Sequence, residues 1–338
     1  MLPMRFRYRP LSATFVTPEH GWMLGDLPCS TGRCLQIRVT ADGGRSWPTV
    51  AAIPTALREQ AVAGGDSNFT KIRFADPRNG WIFGRYVWAT HDGGQTWREV
   101  ANDNRRPYSL AAGGGVVWLA HEIGAAGGTL DVQSSPVTAD RFSPSPGAPT
   151  DGVSPTLVVR DTSAWLVTAT TSPLLYTTTA GGRWQQVSVP CSPAITDALA
   201  VAPSSSTQLF AACSGAGAGC QFTKPSFVSY DAGRQWRPRG PVMPTADRVG
   251  LMTAASATTA VMASSCAGSD LDATFDGGRT WAQVNEQGTG GAPWLDVGFA
   301  SPTEGFAIIG QSVTPENGSR LLVTYDGGHT WNVVDLSI

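Results

Sequence analysis

TYDGGHTW (324–331) is one of five copies of an octapeptide, the others being TADGGRSW (40–47), THDGGQTW (90–97), SYDAGRQW (229–236) and TFDGGRTW (274–281). The aspartates are Asp42, Asp92, Asp231, Asp276 and Asp326, and each copy closes on a tryptophan: Trp47, Trp97, Trp236, Trp281 or Trp331. A sixth copy, TTAGGRW (178–184), ends on Trp184 and reads as having lost its Asp and one residue. Counted from each Asp, or from Ala180 in the defective copy, the steps are 50, 88, 51, 45 and 50. The long step leaves room for a seventh copy, eroded, within residues 128–143. Self-similarity at a fixed period is the mark of a repeat architecture.

Each copy is preceded by a second signature, clearest in FVTPEHGWMLG (15–25), FADPRNGWIFG (74–84) and FASPTEGFAIIG (299–310). It reads as strand, polar turn, strand; a third strand leads into the octapeptide and a fourth follows its Trp. Four short antiparallel strands per period describe a propeller blade. The expected fold is therefore all-β: one seven-bladed β-propeller of four-stranded antiparallel blades, over about residues 11–50, 70–100, 108–143, 155–189, 195–238, 247–285 and 294–335. The octapeptide sits between the third and fourth strands. Its Asp is suited to accept backbone N–H groups of its own turn, its glycines supply positive φ, and its Trp packs between sheets. A residue repeated once per blade is scaffold and does not mark one active site.

Composition agrees. Charged residues are 15% of the chain, with 39 Gly and 24 Pro, which suits many strands joined by tight turns. A net charge of −2 excludes a global basic field for nucleic acid. No apolar run is long enough to span a bilayer. The bias of Arg over Lys (only Lys71 and Lys224) reads as the genome composition of a GC-rich bacterium. Six cysteines in Gly/Ser/Pro-rich surroundings, with no CxxC, suit disulfides. The pairing expected is Cys29–Cys34, Cys191–Cys213 and Cys220–Cys266. Paired cysteines imply an oxidising compartment, so a secreted, periplasmic or cell-surface protein is expected, with its leader removed.

Ser/Thr-x-Asp-x-Gly-x-x-Trp resembles the Asp box, or BNR repeat, of sialidases, xyloglucanase-type glycoside hydrolases and sortilin-like receptors. With the F-x-x-P-x-x-G-W element added, the chain looks most like the photosystem II assembly and stability factor propellers and their bacterial relatives. The resemblance covers nearly the whole chain and is specific for fold, not for chemistry. It implies that Asp boxes occupy one rim and that sites lie on the other, among the loops joining second to third strands and blade to blade.

Two readings of function follow. The first is a non-enzymatic, exported binding or assembly propeller, a monomer with a protein or glycan partner. Its candidate contacts are the basic–aromatic cluster Arg85, Tyr86, Arg105, Arg106 and Tyr108, with Trp294 at the end of NEQGTGGAPW (285–294). In the assembly-factor relatives an arginine-lined patch contacts the partner, and similar residues here would suit bidentate pairing with carboxylates. The alternative is a glycoside hydrolase. A sialidase-like site would need an arginine triad and a Tyr nucleophile, for which Tyr8, Tyr86 and Tyr108 are candidates, although FRYRP (6–10) lacks the Ile of the family's N-terminal motif. A xyloglucanase-like site would need two facing carboxylates, drawn from Asp103, Glu122, Asp247, Asp270, Glu286 and Glu316, all of which read first as solvated loop acids. No metal site, cofactor or catalytic His motif is expected.

Overall fold

The computed structural model describes residues 8–30, 32–51, 53–55, 57, 70–100, 105, 107–123, 128–192, 198–218, 221–244, 247–264, 270–284, 292–310 and 319–336. Apart from Thr55 and Leu57, which are helical, its regular structure is β-strands, paired antiparallel, in two compact units: Met1–Ala101 with Thr289–Ile338, and Asn102–Gly288. This is the all-β, four-strand-sheet pattern of a propeller.

The first unit holds three four-stranded meanders. One is Arg9–Phe15, Gly21–Cys29, Gly32–Thr40 and Thr49–Ala51. The next is Lys71–Phe74, Gly80–Phe83, Val87–Thr90 and Arg98–Val100. The last is Trp294–Phe299, Gly305–Ile309, Arg320–Thr324 and Asn332–Val333. Second strands are buried along their whole described length in Gly80–Phe83 and Gly305–Ile309, because both faces are covered. That explains why they read as continuous apolar runs and do not alternate. Between the sheets Trp22 stacks on Phe74 at 3.7 Å and Phe15 packs on Phe306 at 5.6 Å.

The second unit holds four comparable groups. Pro107–Gly113, Val116–Ile123, Gly128–Pro136 and Ser143–Pro144 form one, and Asp151–Arg160, Ser163–Ala169, Pro173–Thr179 and Gln185–Val187 the next. They are joined into one eight-stranded sheet by Gly128↔Gly152 and Thr129↔Asp151. Leu199–Pro203, Leu209–Cys213, Ser226–Ser229 and Arg237–Arg239 follow. Leu251–Ala254, Ala260–Ala263, Leu271–Thr274 and Ala282–Gln283 complete the unit.

The octapeptide is a self-contained turn. In the first copy Asp42 accepts from the Ser46 N–H at 2.9 Å, the Ser46 hydroxyl at 2.6 Å and the Thr40 hydroxyl at 2.8 Å, while Thr40 Oγ1 accepts the Gly44 N–H at 3.0 Å. Gly43 and Gly44 hold φ of 72° and 83°, where a side chain is strained. The N–H at the first glycine position then donates to the turn between the first and second strands of its own sheet: Gly43 to Glu19, Gly93 to Arg78, Ala232 to Thr207, Gly277 to Thr258 and Gly327 to Thr303. The two sequence signatures are thus halves of one rim.

That bond corrects the reading of the defective copy. Ala180 donates to the Thr162 carbonyl at 2.7 Å and holds φ of 51°, as Ala232 does at 60°. Ala180 therefore occupies the first glycine position, and the copy is the full octapeptide TTTAGGRW (177–184) with Thr179 in the place of Asp. No residue is missing. The equivalent bond from Val137 to Gly115, 3.1 Å, locates the eroded copy at residues 134–141, where Arg141 stands in the Trp position.

Candidate functional site

On the side of each sheet away from the Asp box lie the turns between second and third strands. In the first unit one such hairpin is long: Gly21–Cys29 and Gly32–Thr40 pair over nine residues each, whereas Gly80–Phe83 and Val87–Thr90 have four. The Cys29–Cys34 disulfide closes its tip. At its base the buried Asp26 carboxylate takes Arg9 at 2.7 Å and Arg33 at 2.5 Å. The guanidinium of Arg9 comes from the first strand, since Arg9 and Asp26 are register partners. Arg9 and Arg33 keep part of their surface in solvent, so two cations meet one carboxylate at the edge of the sheet.

A second cluster forms where first strands run side by side. Arg73 grips Asp296 with two bonds of 2.9 Å, Ser12 donates to Asp296 at 2.5 Å, and Lys71 Nζ donates to the Leu295 carbonyl. Burial alone would raise the Asp296 pKa, but the Arg73 and Lys71 charges and the hydrogen bonds hold it below the ordinary carboxylate value. Burial pushes Lys71 down to about 8, against the pull of Asp296.

In the second unit the paired extensions of Gly128–Pro136 and Asp151–Arg160 build a ledge. Ser154 sits where the register of Asp151–Arg160 shifts, at φ of 51°, a conformation that a non-glycine residue keeps only when its surroundings enforce it. Here Glu122 accepts the Ser154 N–H at 2.9 Å and the Tyr108 hydroxyl donates to Ser154 Oγ at 3.2 Å. Tyr108 is 52% exposed. Arg105 pairs with Asp131 at 2.5 Å and retains 40% of its side-chain surface. The Cys191–Cys213 disulfide ties the end of Leu209–Cys213 to the segment ahead of Leu199–Pro203.

The structure sorts the expected site residues. Arg105 and Tyr108 lie on or beside the ledge. Arg85 lies over the Tyr86 ring at 5.6 Å in the turn after Gly80–Phe83. Trp294 is only 7% exposed and begins a first strand, so its ring belongs to the interior and not to an open binding face. Tyr8 is also interior, its hydroxyl donating to the Met23 and Gln36 carbonyls, and burial raises its pKa well above the ordinary value. Arg106, Asp103, Glu286, Glu316, Cys220 and Cys266 lie outside the described residues. The reading of Asp247 as a solvated loop acid does not hold, since it is 2% exposed. Asp270 keeps partial exposure, and burial with the neighbouring Asp272 and Asp247 charges raises its pKa. Near it lies a fully buried ion pair in which Lys224 Nζ reaches Asp272 at 2.8 Å and Ser264 at 2.7 Å. Among the described residues no group of three or more His, Cys, Asp or Glu is placed to hold a metal, and no helix is long and apolar enough to cross a membrane.

A search of curated proteins returns no significant match. Among solved structures, YCF48 bound to D1 peptide is similar over 95% of this chain and 94% of its own, at 19% identity and a TM-score of 0.61. YCF48 from Cyanidioschyzon merolae is similar over 96% and 97%, at 13% identity and a TM-score of 0.61. At these identities both speak for the fold alone. A family model described as photosynthesis system II assembly factor YCF48 matches residues 2–314. This match corrects the expectation of a secreted, periplasmic or cell-surface protein, because the family it identifies is described as a photosystem II assembly factor. A disulfide reports oxidising surroundings and carries no address. With an Asp-box scaffold, paired four-stranded sheets and a family match over most of its length, the chain belongs to the photosystem II assembly factor YCF48 family.

Proposed function

We propose that the chain is a non-enzymatic assembly propeller of seven four-stranded blades that binds a polypeptide partner on the loop side of its sheets. The observation that carries this is the ledge of the second unit. Tyr108 stands half exposed with its hydroxyl on Ser154 Oγ, and Glu122 holds the Ser154 N–H; the partly exposed Arg105 is nearby in sequence. A rigid aromatic beside a guanidinium is the pairing that protein interfaces favour for anchoring. The related structure of YCF48 bound to D1 peptide supports a polypeptide as the class of partner. The glycosidase reading loses support because Asp247 is buried and Tyr8 is interior.

Calorimetric titration with a D1-derived peptide tests this. Saturable binding, weakened about tenfold by Tyr108→Ala combined with Arg105→Glu, is expected; tenfold corresponds to about 1.4 kcal/mol. Unaltered affinity in the double variant, or turnover of a glycoside by the wild-type chain, contradicts it.

A further inference from the structure

A second surface lies on the outer edge of the sheet that ends in Arg237–Arg239. Arg237 and Arg239 flank Pro238 and, being two residues apart on a strand, leave it on the same side at a spacing of about 7 Å. Tyr230, the variable residue of the box SYDAGRQW, is 48% exposed. Its ring centroid lies 5.8 Å from Arg237 Cζ and 5.9 Å from Arg239 Cζ, and Arg239 Nη2 donates to its hydroxyl at 2.7 Å. The box of the next sheet abuts this strand. A Cβ on Gly240 would come within 2.3 Å of the Arg279 carbonyl, and one on Gly278 within 3.2 Å of Arg239 Cβ. Both positions are glycines at positive φ, and their lack of a side chain lets the backbone of that box close on the end of this strand.

Among the described residues Arg237, Arg239 and Arg279 form no ion pair with a carboxylate, and Arg239 Nε is buried without a hydrogen-bond partner. Arg279 instead donates to its own turn, at the Asp276 carbonyl, 3.1 Å. A chain of net charge −2 thus sets two unneutralised guanidinium groups, those of Arg237 and Arg239, around one exposed ring.

We infer that this outer edge is a second docking surface, separate from the loop side, and that its occupant is an acidic segment of a partner polypeptide. Pro238 has no N–H and blocks addition of a further strand, so recognition must run through side chains. Guanidinium groups two residues apart match the carboxylates of alternate residues in an extended chain, and each fork can pair bidentately. The Tyr230 ring gives the segment a flat face between them.

The test is fluorescence polarisation with a labelled peptide of alternating Glu and Ser. The wild-type chain is expected to bind it with an affinity that falls as salt is added. The pair Arg237→Glu and Arg239→Glu should weaken binding at least about tenfold, or about 1.4 kcal/mol. Tyr108→Ala should leave it unchanged, which separates this surface from the ledge. If charge reversal lowers the melting profile, Arg237→Gln with Arg239→Gln carries the same expectation. Unchanged affinity in the folded variants overturns the inference. So does binding to vesicles of anionic lipid, lost in the same variants, with no binding of the peptide.

Discussion

The indole Nε1 of Trp22 donates to the carbonyl oxygen of Gly93, 3.0 Å away and 71 residues along the chain. The second strand of one sheet is thereby latched to the Asp box of the next. In the second unit Trp165 makes the same bond to Ala232 at 3.1 Å, again at the first glycine position of the box. The repeated octapeptide therefore does two jobs: it closes its own hairpin, and its carbonyl receives the neighbouring sheet.

Trp22→Phe keeps most of the stacking on Phe74 and removes the latch. The Gly93 carbonyl then loses its buried donor, which costs about 1–3 kcal/mol. Urea unfolding should show that loss. Trp22→Ala should cost more, about 3–5 kcal/mol, because it also opens a cavity beside Phe74.

Asp92 opposes acid. Burial works against its ionisation, but the Thr96 hydroxyl and N–H, with Thr90, outweigh it and hold the carboxyl at about 2 against an ordinary 3.8. The folded pKa is the lower one, so the stabilisation is complete above about pH 4 and is lost as pH falls through 2. Asp92→Asn should cost about 1 kcal/mol at neutral pH after solvent screening, and nothing at the acid end. Thermal melts of the two proteins across that range should converge.

Lys71 produces the opposite window. Its folded pKa, about 8, lies below the ordinary 10.5, so between those values the unfolded chain binds more protons and stability rises with pH. Lys71→Met should flatten that rise relative to wild type, and alkaline melting curves measure it.

Thr179 marks a box that lost its aspartate and kept its turn. Thr179→Asp supplies an acceptor for the Arg183 N–H, as Asp231 does for the Gln235 N–H at 2.8 Å. A gain of about 0.5–1.5 kcal/mol is expected by chemical unfolding.

The boxes were readable because every bond that defines them lies within eight residues. Thr179 was misread for the same reason: without its Asp the copy had no local marker of register, and the bond that fixes it runs from Ala180 to the preceding turn at Thr162. The charged clusters were not readable. Arg73 and Asp296 are 223 residues apart, and Lys224, just ahead of Ser226–Ser229, is 48 from Asp272. The chain's only two lysines, which looked like a by-product of composition, sit in these two networks. Trp294 failed as a surface residue because a Gly-rich approach resembles a loop up to the residue where the strand begins. Tyr108 was singled out as a contact candidate, but Ser154, on which its hydroxyl rests, carried no signal, since no local motif demands positive φ at a serine.

Hydrogen exchange with and without a D1-derived peptide tests the binding account most directly. Slower exchange in Pro107–Gly113 and Asp151–Arg160, with the Asp-box turns unchanged, is the expected result. Protection confined to those turns, or none anywhere on the ledge, would contradict it.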